Sequence, residues 1–235
     1  MTPEAPAPVL VVCAHGTRDP RGRETVTELV RAVAARLPEV DVREAYVDVH
    51  GPEVADVVAG IPPAGGGGPA GVVVPLLLAA GFHVRVDLAE AVAGRPDVVV
   101  TGALGPDDRL VDVVRDRLAA ADAPRDAAVV LAPAGSSDER AQADSADVAR
   151  RLGERLGVPV RLAYAAGPRP PVACGVTAAR IEGAPRVVVA SYLLAPGFFQ
   201  RRLESCGAEV VTGPLLPDDR VVDVVLDRYR AATRT

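Results

Sequence analysis

With 235 residues and a net charge of −5, the chain can bury a full core, and it is too acidic and too free of basic blocks to be a nucleic-acid binder. Every basic residue is Arg, and no stretch approaches the ~18 apolar residues that a membrane span needs. Met1 to Pro8 carries no apolar run and so is no signal peptide; Cys13, Cys174 and Cys206 are odd in number and lack metal-type spacing, which predicts a reducing cytoplasm.

Val9 to Cys13 is a continuous apolar run ending at a His-Gly turn, the pattern of a strand buried on both faces. Val26, Leu29, Val30, Val33 and Leu37 then recur at helical spacing up to Pro38. Val40 to Val49 alternates like a strand, Pro52 to Val58 opens a second helix, and Ile61 to Ala70 is a Pro/Gly loop. Val72 to Leu78 predicts the next buried strand, Val84 to Val92 a helix, Val98 to Thr101 a strand, and Asp107 to Ala120 a helix. The second half repeats the order: strand 128–132, helix 141–156, strand 158–164, helix 172–181, strand 187–193, helix 200–205, strand 209–212 and a helix to about residue 231. This β-α alternation predicts parallel sheets flanked by helices: an α/β chain of two tandem flavodoxin-like domains, 8–121 and 126–232, each mainly four-stranded.

An internal repeat supports that division. Thr101 to Arg109 recurs as Thr212 to Arg220, and both copies run on into Val-Asp-Val-Val. Gly81-Phe82-His83 pairs with Gly197-Phe198-Phe199, and the opening Ala14 to Asp19 pairs with Pro133 to Asp138. His15 and His83 therefore have no titratable counterpart in the second copy. Aligning Val42 to Tyr46 with Val160 to Tyr164 sets Asp48 opposite Ala166, a third loss in the same half. Fold alone would need the same residues twice, so this asymmetry points to chemistry. Two imidazoles with a carboxylate and open coordination positions suit a metal that is held and then released. His50 reads instead as an exposed loop residue.

Parallel sheets carry ligand groups on the loops after their strands, where His15, Asp48 and His83 all fall. Six of the seven aromatic residues lie near these ends: Tyr46, Phe82, Tyr164, Tyr192, Phe198 and Phe199. So scarce a resource gathered at one rim predicts a flat apolar ligand. Arg18, Arg21, Arg23, Arg85, Arg201 and Arg202 share that rim and can hold carboxylates, and both copies keep the Arg85/Arg201 pair. Asp107-Asp108 and Asp218-Asp219 survive in both copies at helix starts and read as caps. Gly65 to Gly68 precedes a strand, with no Gly-Lys-Ser/Thr behind it, and reads as a flexible connection.

At Ala14-His15-Gly16-Thr17-Arg18-Asp19-Pro20-Arg21-Gly22, Tyr46-Val47-Asp48 and Pro75-Leu76-Leu77-Leu78-Ala79-Ala80-Gly81-Phe82-His83-Val84, the chain resembles the sirohydrochlorin chelatase family. These are class II, ATP-independent metal chelatases made as short dimers or long two-domain chains. The resemblance implies a lyase that inserts Co2+ or Fe2+ into a sirohydrochlorin-like tetrapyrrole, for cobalamin or siroheme synthesis, in a cleft between two domains. It implies no cofactor beyond the divalent metal substrate. It maps the metal-handling histidines onto His15 and His83 and the acidic residue, usually Glu, onto Asp48. Arg18, Arg85, Arg201, Phe82, Phe198, Phe199 and Tyr46 are the expected substrate contacts. A monomer is expected, because the repeat supplies internally what a short form gains by dimerising. A chelatase for another metal such as nickel, or a non-catalytic tetrapyrrole or metal carrier, is the alternative.

Overall fold

A computed structural model describes residues 7–65, 67–79, 81–123 and 126–234, with the side chains of 82–85 outside the description. In the first half β1 (Val9–Ala14), α1 (Pro20–Ala35), β2 (Val42–Tyr46), α2 (Val54–Ala59), β3 (Gly71–Pro75), α3 (Phe82–Val92), β4 (Val98–Val100) and α4 (Asp108–Ala120) follow one another. The second half gives β5 (Ala128–Pro133), α5 (Glu139–Leu156), β6 (Val160–Leu162), α6 (Val172–Ile181), β7 (Val187–Tyr192), α7 (Phe198–Glu204), β8 (Val210–Val211) and α8 (Asp219–Thr233). Two four-stranded sheets result, ordered β2-β1-β3-β4 and β6-β5-β7-β8, and their pairings are parallel. The predicted α/β architecture is the observed one. Among the described residues no helix is long and apolar enough to cross a membrane.

The central strands are apolar throughout because both faces are covered: every residue of β1, β3 and β7 is buried. One face of the first sheet packs Val9, Val11, Cys13 and Val73 against Val54, Val58 and Leu88. Burial there pushes the Cys13 thiol up to about 12, as befits a core residue. Helix α1 starts where Asp19 accepts a hydrogen bond from the Arg21 N–H with Pro20 in the first turn, and it buries Val26, Leu29, Val30 and Val33. Helix α5 starts on Asp138 in the same way and stops at Gly157, which takes the left-handed φ of 70°. The stretch expected to alternate as a strand to Val49 ends early, at Tyr46. Beyond it Val49 takes φ 74°, and the Tyr46 N–H donates to the Pro52 carbonyl, so the chain turns back.

The chain condenses into two compact units whose boundaries differ from those of the sequence repeat. One comprises Met1–Leu77, His83–Leu104 and Val222–Thr235; the other comprises Leu78–Phe82 and Gly105–Val221. Within the first unit, α8 buries Val222, Val224, Val225, Leu226 and Tyr229. There Arg228 donates to the carbonyls of Ala103 and Leu104, each at 3.0 Å, and the Tyr229 hydroxyl donates to that of Pro8 at 2.7 Å. Within the second unit, α4 packs on β7 and α5, burying Leu110, Val111, Val113, Val114 and Leu118. Arg117 of α4 donates to the carbonyls of Pro214, Leu215 and Pro217. Each unit is thus closed by a helix that the repeat counts with the other half. At roughly 1.5–3 kcal/mol per buried aliphatic side chain, one such helix contributes about as much as a whole domain's net stability.

Asp107 caps α4 by accepting from the Arg109 N–H, and Asp218 accepts likewise from that of Arg220. Asp108 pairs instead with Arg151 at 3.0 Å and Arg155 at 2.9 Å, and those guanidiniums hold its carboxyl below the usual range. These pairs face solvent and so fix the register of α4 on α5 more than they stabilise it.

Candidate functional site

In a sheet ordered 2-1-3-4 the chain leaves β1 toward one edge and returns at β3 on the other side, which opens a crevice beyond the carboxyl ends of β1 and β3. The two strands are paired up to Cys13 and Pro75, and the Leu76 N–H donates to the Cys13 carbonyl at 2.7 Å. His15 leaves that point on one loop, and the other leads to His83 in the first turn of α3.

The loop bearing His15 is built by its neighbours. The Asp19 N–H donates to Thr17 Oγ1 at 3.1 Å, and Arg23 Nε donates to the Thr17 carbonyl at 2.9 Å. Gly16 sits at φ 105° against the Asp48 backbone, and the N–H groups of Val47 and Asp48 donate to the carbonyls of Ala14 and His15, both at 3.0 Å. The second unit repeats every one of these features. Ser136 accepts from the Asp138 N–H, Gln142 donates to the Ser136 carbonyl, Gly135 has φ 103°, and Ala165 and Ala166 donate to Pro133 and Ala134. One scaffold therefore presents His15 and Asp48 in the first unit and Ala134 and Ala166 in the second. Their side chains are not needed to form it.

A Cβ on Gly16 would lie 2.1 Å from the Asp48 carbonyl oxygen, and one on Gly135 would lie 1.9 Å from that of Ala166. Gly16→Ala and Gly135→Ala should each cost roughly 2–4 kcal/mol in urea unfolding. A loss under about 1 kcal/mol at either would show that the contact relaxes.

The structure brings His15 and Asp48 together on adjacent, hydrogen-bonded loops, and both are exposed. Arg18 is exposed on the same loop. Tyr46 departs from its expected place in a ligand wall. It is 2 % exposed, its hydroxyl is hydrogen-bonded to Glu44, and its ring lies 3.9 Å from that of His50, centroid to centroid. A ring so enclosed offers solvent no face. His50, expected to be an exposed loop residue, is half-buried on Tyr46 with Nδ1 3.1 Å from the Gly51 carbonyl. The side chains of Phe82, His83 and Arg85 lie outside the described residues. Among the described residues no group of three or more His, Cys, Asp or Glu is arranged to hold a metal ion.

In the second unit the head of α7 presents Phe198, 58 % exposed, and Phe199, 37 % exposed, with ring centroids 5.4 Å apart edge-to-face. Arg202 lies over the Phe198 ring at 5.7 Å, and Arg201 is exposed beside it. Behind them Gln200 is buried: its Oε1 accepts from the Ser191 hydroxyl at 2.7 Å, and its Nε2 donates to the Thr212 carbonyl at 3.0 Å. That satisfied network fixes the helix, so the two rings are held out to solvent on a rigid base.

A family model described as CbiX matches residues 9–121 and 128–232. SirB from Bacillus subtilis with Fe3+ has the same fold at TM-score 0.76 and 20% identity, covering 97% of this chain and 96% of that one. The sirohydrochlorin chelatase SirB from Bacillus subtilis subspecies spizizenii, in complex with cobalt, aligns at TM-score 0.72 and 19% identity over 97% and 96% of the two chains. CbiX, the terminal enzyme for biosynthesis of siroheme in denitrifying bacteria, aligns at 0.68 and 16% identity over 95% and 99%. No curated protein matches the chain.

Proposed function

The chain belongs to the CbiX, or sirohydrochlorin chelatase, family, and we propose that it inserts a divalent metal, Co2+ or Fe2+, into sirohydrochlorin or a closely similar tetrapyrrole. The observation that carries this reading is the repeated loop scaffold, which displays His15 and Asp48 in one unit and alanines in the other. In this reading His15 and His83 hold the incoming metal, and Asp48 assists them. Insertion displaces two pyrrole protons, and imidazole is a base suited to accept them near neutral pH. A loose site of few protein ligands suits an ion that must shed water and pass on to the macrocycle. Arg18, Arg85 and Arg201 hold the carboxylates of the macrocycle, and Phe82, Phe198 and Phe199 lie against its apolar face. The protein acts as a monomer.

The test is a spectrophotometric insertion assay with sirohydrochlorin and a panel of divalent metals. Turnover with Co2+ or Fe2+ is expected, whereas binding without turnover would mark a carrier and turnover with Ni2+ alone a different chelatase. Phe199→Ala should weaken tetrapyrrole binding by about tenfold, because it removes a large exposed apolar face, and should leave metal affinity without tetrapyrrole unchanged. Calorimetric titration that shows metal affinity lost and tetrapyrrole affinity kept would reverse these roles.

A further inference from the structure

The comparison between halves that singles out His15 also singles out a second group, set behind the loops. Thr27 on α1 donates its hydroxyl to Glu44 Oε1 at 3.1 Å, and the Tyr46 hydroxyl is bonded to the same oxygen. The Tyr46 ring supports His50. With α1 and α5 in register through Asp19 and Asp138, and β2 and β6 in register against β1 and β5, Thr27 corresponds to Ala146 and Glu44 to Leu162. Tyr164 keeps the place of Tyr46 with Leu162 in the place of Glu44, and Pro168 stands where His50 does. The second unit shows that this region packs without Thr, Glu or His.

The turn itself points the same way. Val49 sits at φ 74° and its counterpart Gly167 at φ 75°, so the backbone is the same and only the first unit strains it. A β-branched residue held there costs roughly 1–3 kcal/mol that glycine does not. His50 adds a second cost. Its Nδ1 faces the Gly51 carbonyl, which can only accept, so Nδ1 is the donor in that contact. The Nε2 is shut off from solvent and, among the described residues, has no hydrogen-bond partner. The same turn holds Asp48 at two points: its carboxylate accepts from the Val49 N–H, and its carbonyl accepts from the His50 N–H at 2.9 Å.

We propose that Thr27, Glu44, Tyr46 and His50 are positioning residues that lock the strained turn carrying Asp48, so that its carboxylate is fixed for metal capture. The hydroxyls of Thr27 and Tyr46 anchor on Glu44, the Tyr46 ring seats the His50 ring, and His50 clamps the turn. The inference rests on the chelatase reading for its purpose but not for its geometry.

A double-mutant cycle tests it. Thr27→Ala with Glu44→Leu installs the residues of the second unit, and Asp48→Ala removes the group that the relay serves. Co2+ affinity without tetrapyrrole should fall about tenfold in the first variant, as for other partners that orient metal ligands. The triple variant should bind no worse than Asp48→Ala alone, because the relay acts only through Asp48. A second variant, Val49→Gly with His50→Pro, relieves the strain. It should melt no lower than wild type yet bind Co2+ about tenfold more weakly, a pairing that a merely structural role would not produce. In sirohydrochlorin insertion the loss should fall on kcat and leave KM unchanged. Additive losses in the cycle, or full affinity in the strain-relieved variant, would overturn the relay. Coupled losses with no turnover by the wild type would keep the relay and sink the chelatase reading. A wild type that binds no Co2+ would overturn both.

Discussion

His15→Ala should lower metal insertion by roughly 10²–10⁴-fold while leaving the melting temperature almost unmoved. The loop geometry rests on Gly16, Thr17, Asp19 and Arg23, none of which uses the imidazole, and the second unit closes the same loop over Ala134. Alanine at this exposed position should therefore change stability by no more than about 0.5 kcal/mol. His83→Ala should be equally severe, since its counterpart is Phe199 and the repeat again retains the scaffold without the imidazole. Asp48→Ala should cost less, because in the proposed chelation one carboxylate assists two imidazoles. Turnover at the wild-type rate in the His15/His83 double variant would remove the site altogether, and equal losses in all three single variants would mean that Asp48 ranks with the histidines.

Deleting residues 222–235 should unfold the first unit and spare the second. The deletion strips away Val222, Val224, Val225, Leu226 and Tyr229, all buried, together with the Arg228 and Tyr229 bonds to Ala103, Leu104 and Pro8. Five buried side chains at about 1.5–3 kcal/mol each amount to about what a domain of this size holds in reserve. Amide hydrogen exchange should show protection lost across β1 to β4 and retained across β5 to β8, and a peptide spanning α8 should restore it. Undiminished protection in β1 and β3 of the truncated chain would show that the first unit closes without the helix.

Much of this was written in the sequence, for identifiable reasons. Strands buried on both faces leave unbroken valine runs, so β1, β3 and β7 could be placed to within a few residues, and Asp107-Asp108 and Asp218-Asp219 marked where α4 and α8 begin. His15 and Asp48 stood out because the repeat supplies an internal control that lacks them. Tyr46 was misplaced because a strand-end aromatic looks the same whether it faces solvent or turns inward to a carboxylate, and only Glu44 beneath it decides. Thr27 was missed because the comparison between halves did not extend into the helix behind the loops, and Glu44 because the strand alignment served only to place Asp48 opposite Ala166. Ala146 and Leu162 carried that signal. The helix exchange was illegible for a different reason. Helices α4 and α8 share the Val-Asp-Val-Val segment and apolar faces, so nothing in either sequence says which sheet it will cover.

That exchange inverts the order in which the protein can mature. Domains ordinarily fold as they emerge from the ribosome, the first-made part first. Here the unit that begins at the N-terminus borrows its closing helix from Val222–Thr235, whereas the other unit has every segment it needs by Val221. The half bearing His15 and Asp48 is synthesised first and completed last. Its loops are therefore set on a closed sheet only after residues 222–235 have followed the whole of the other unit.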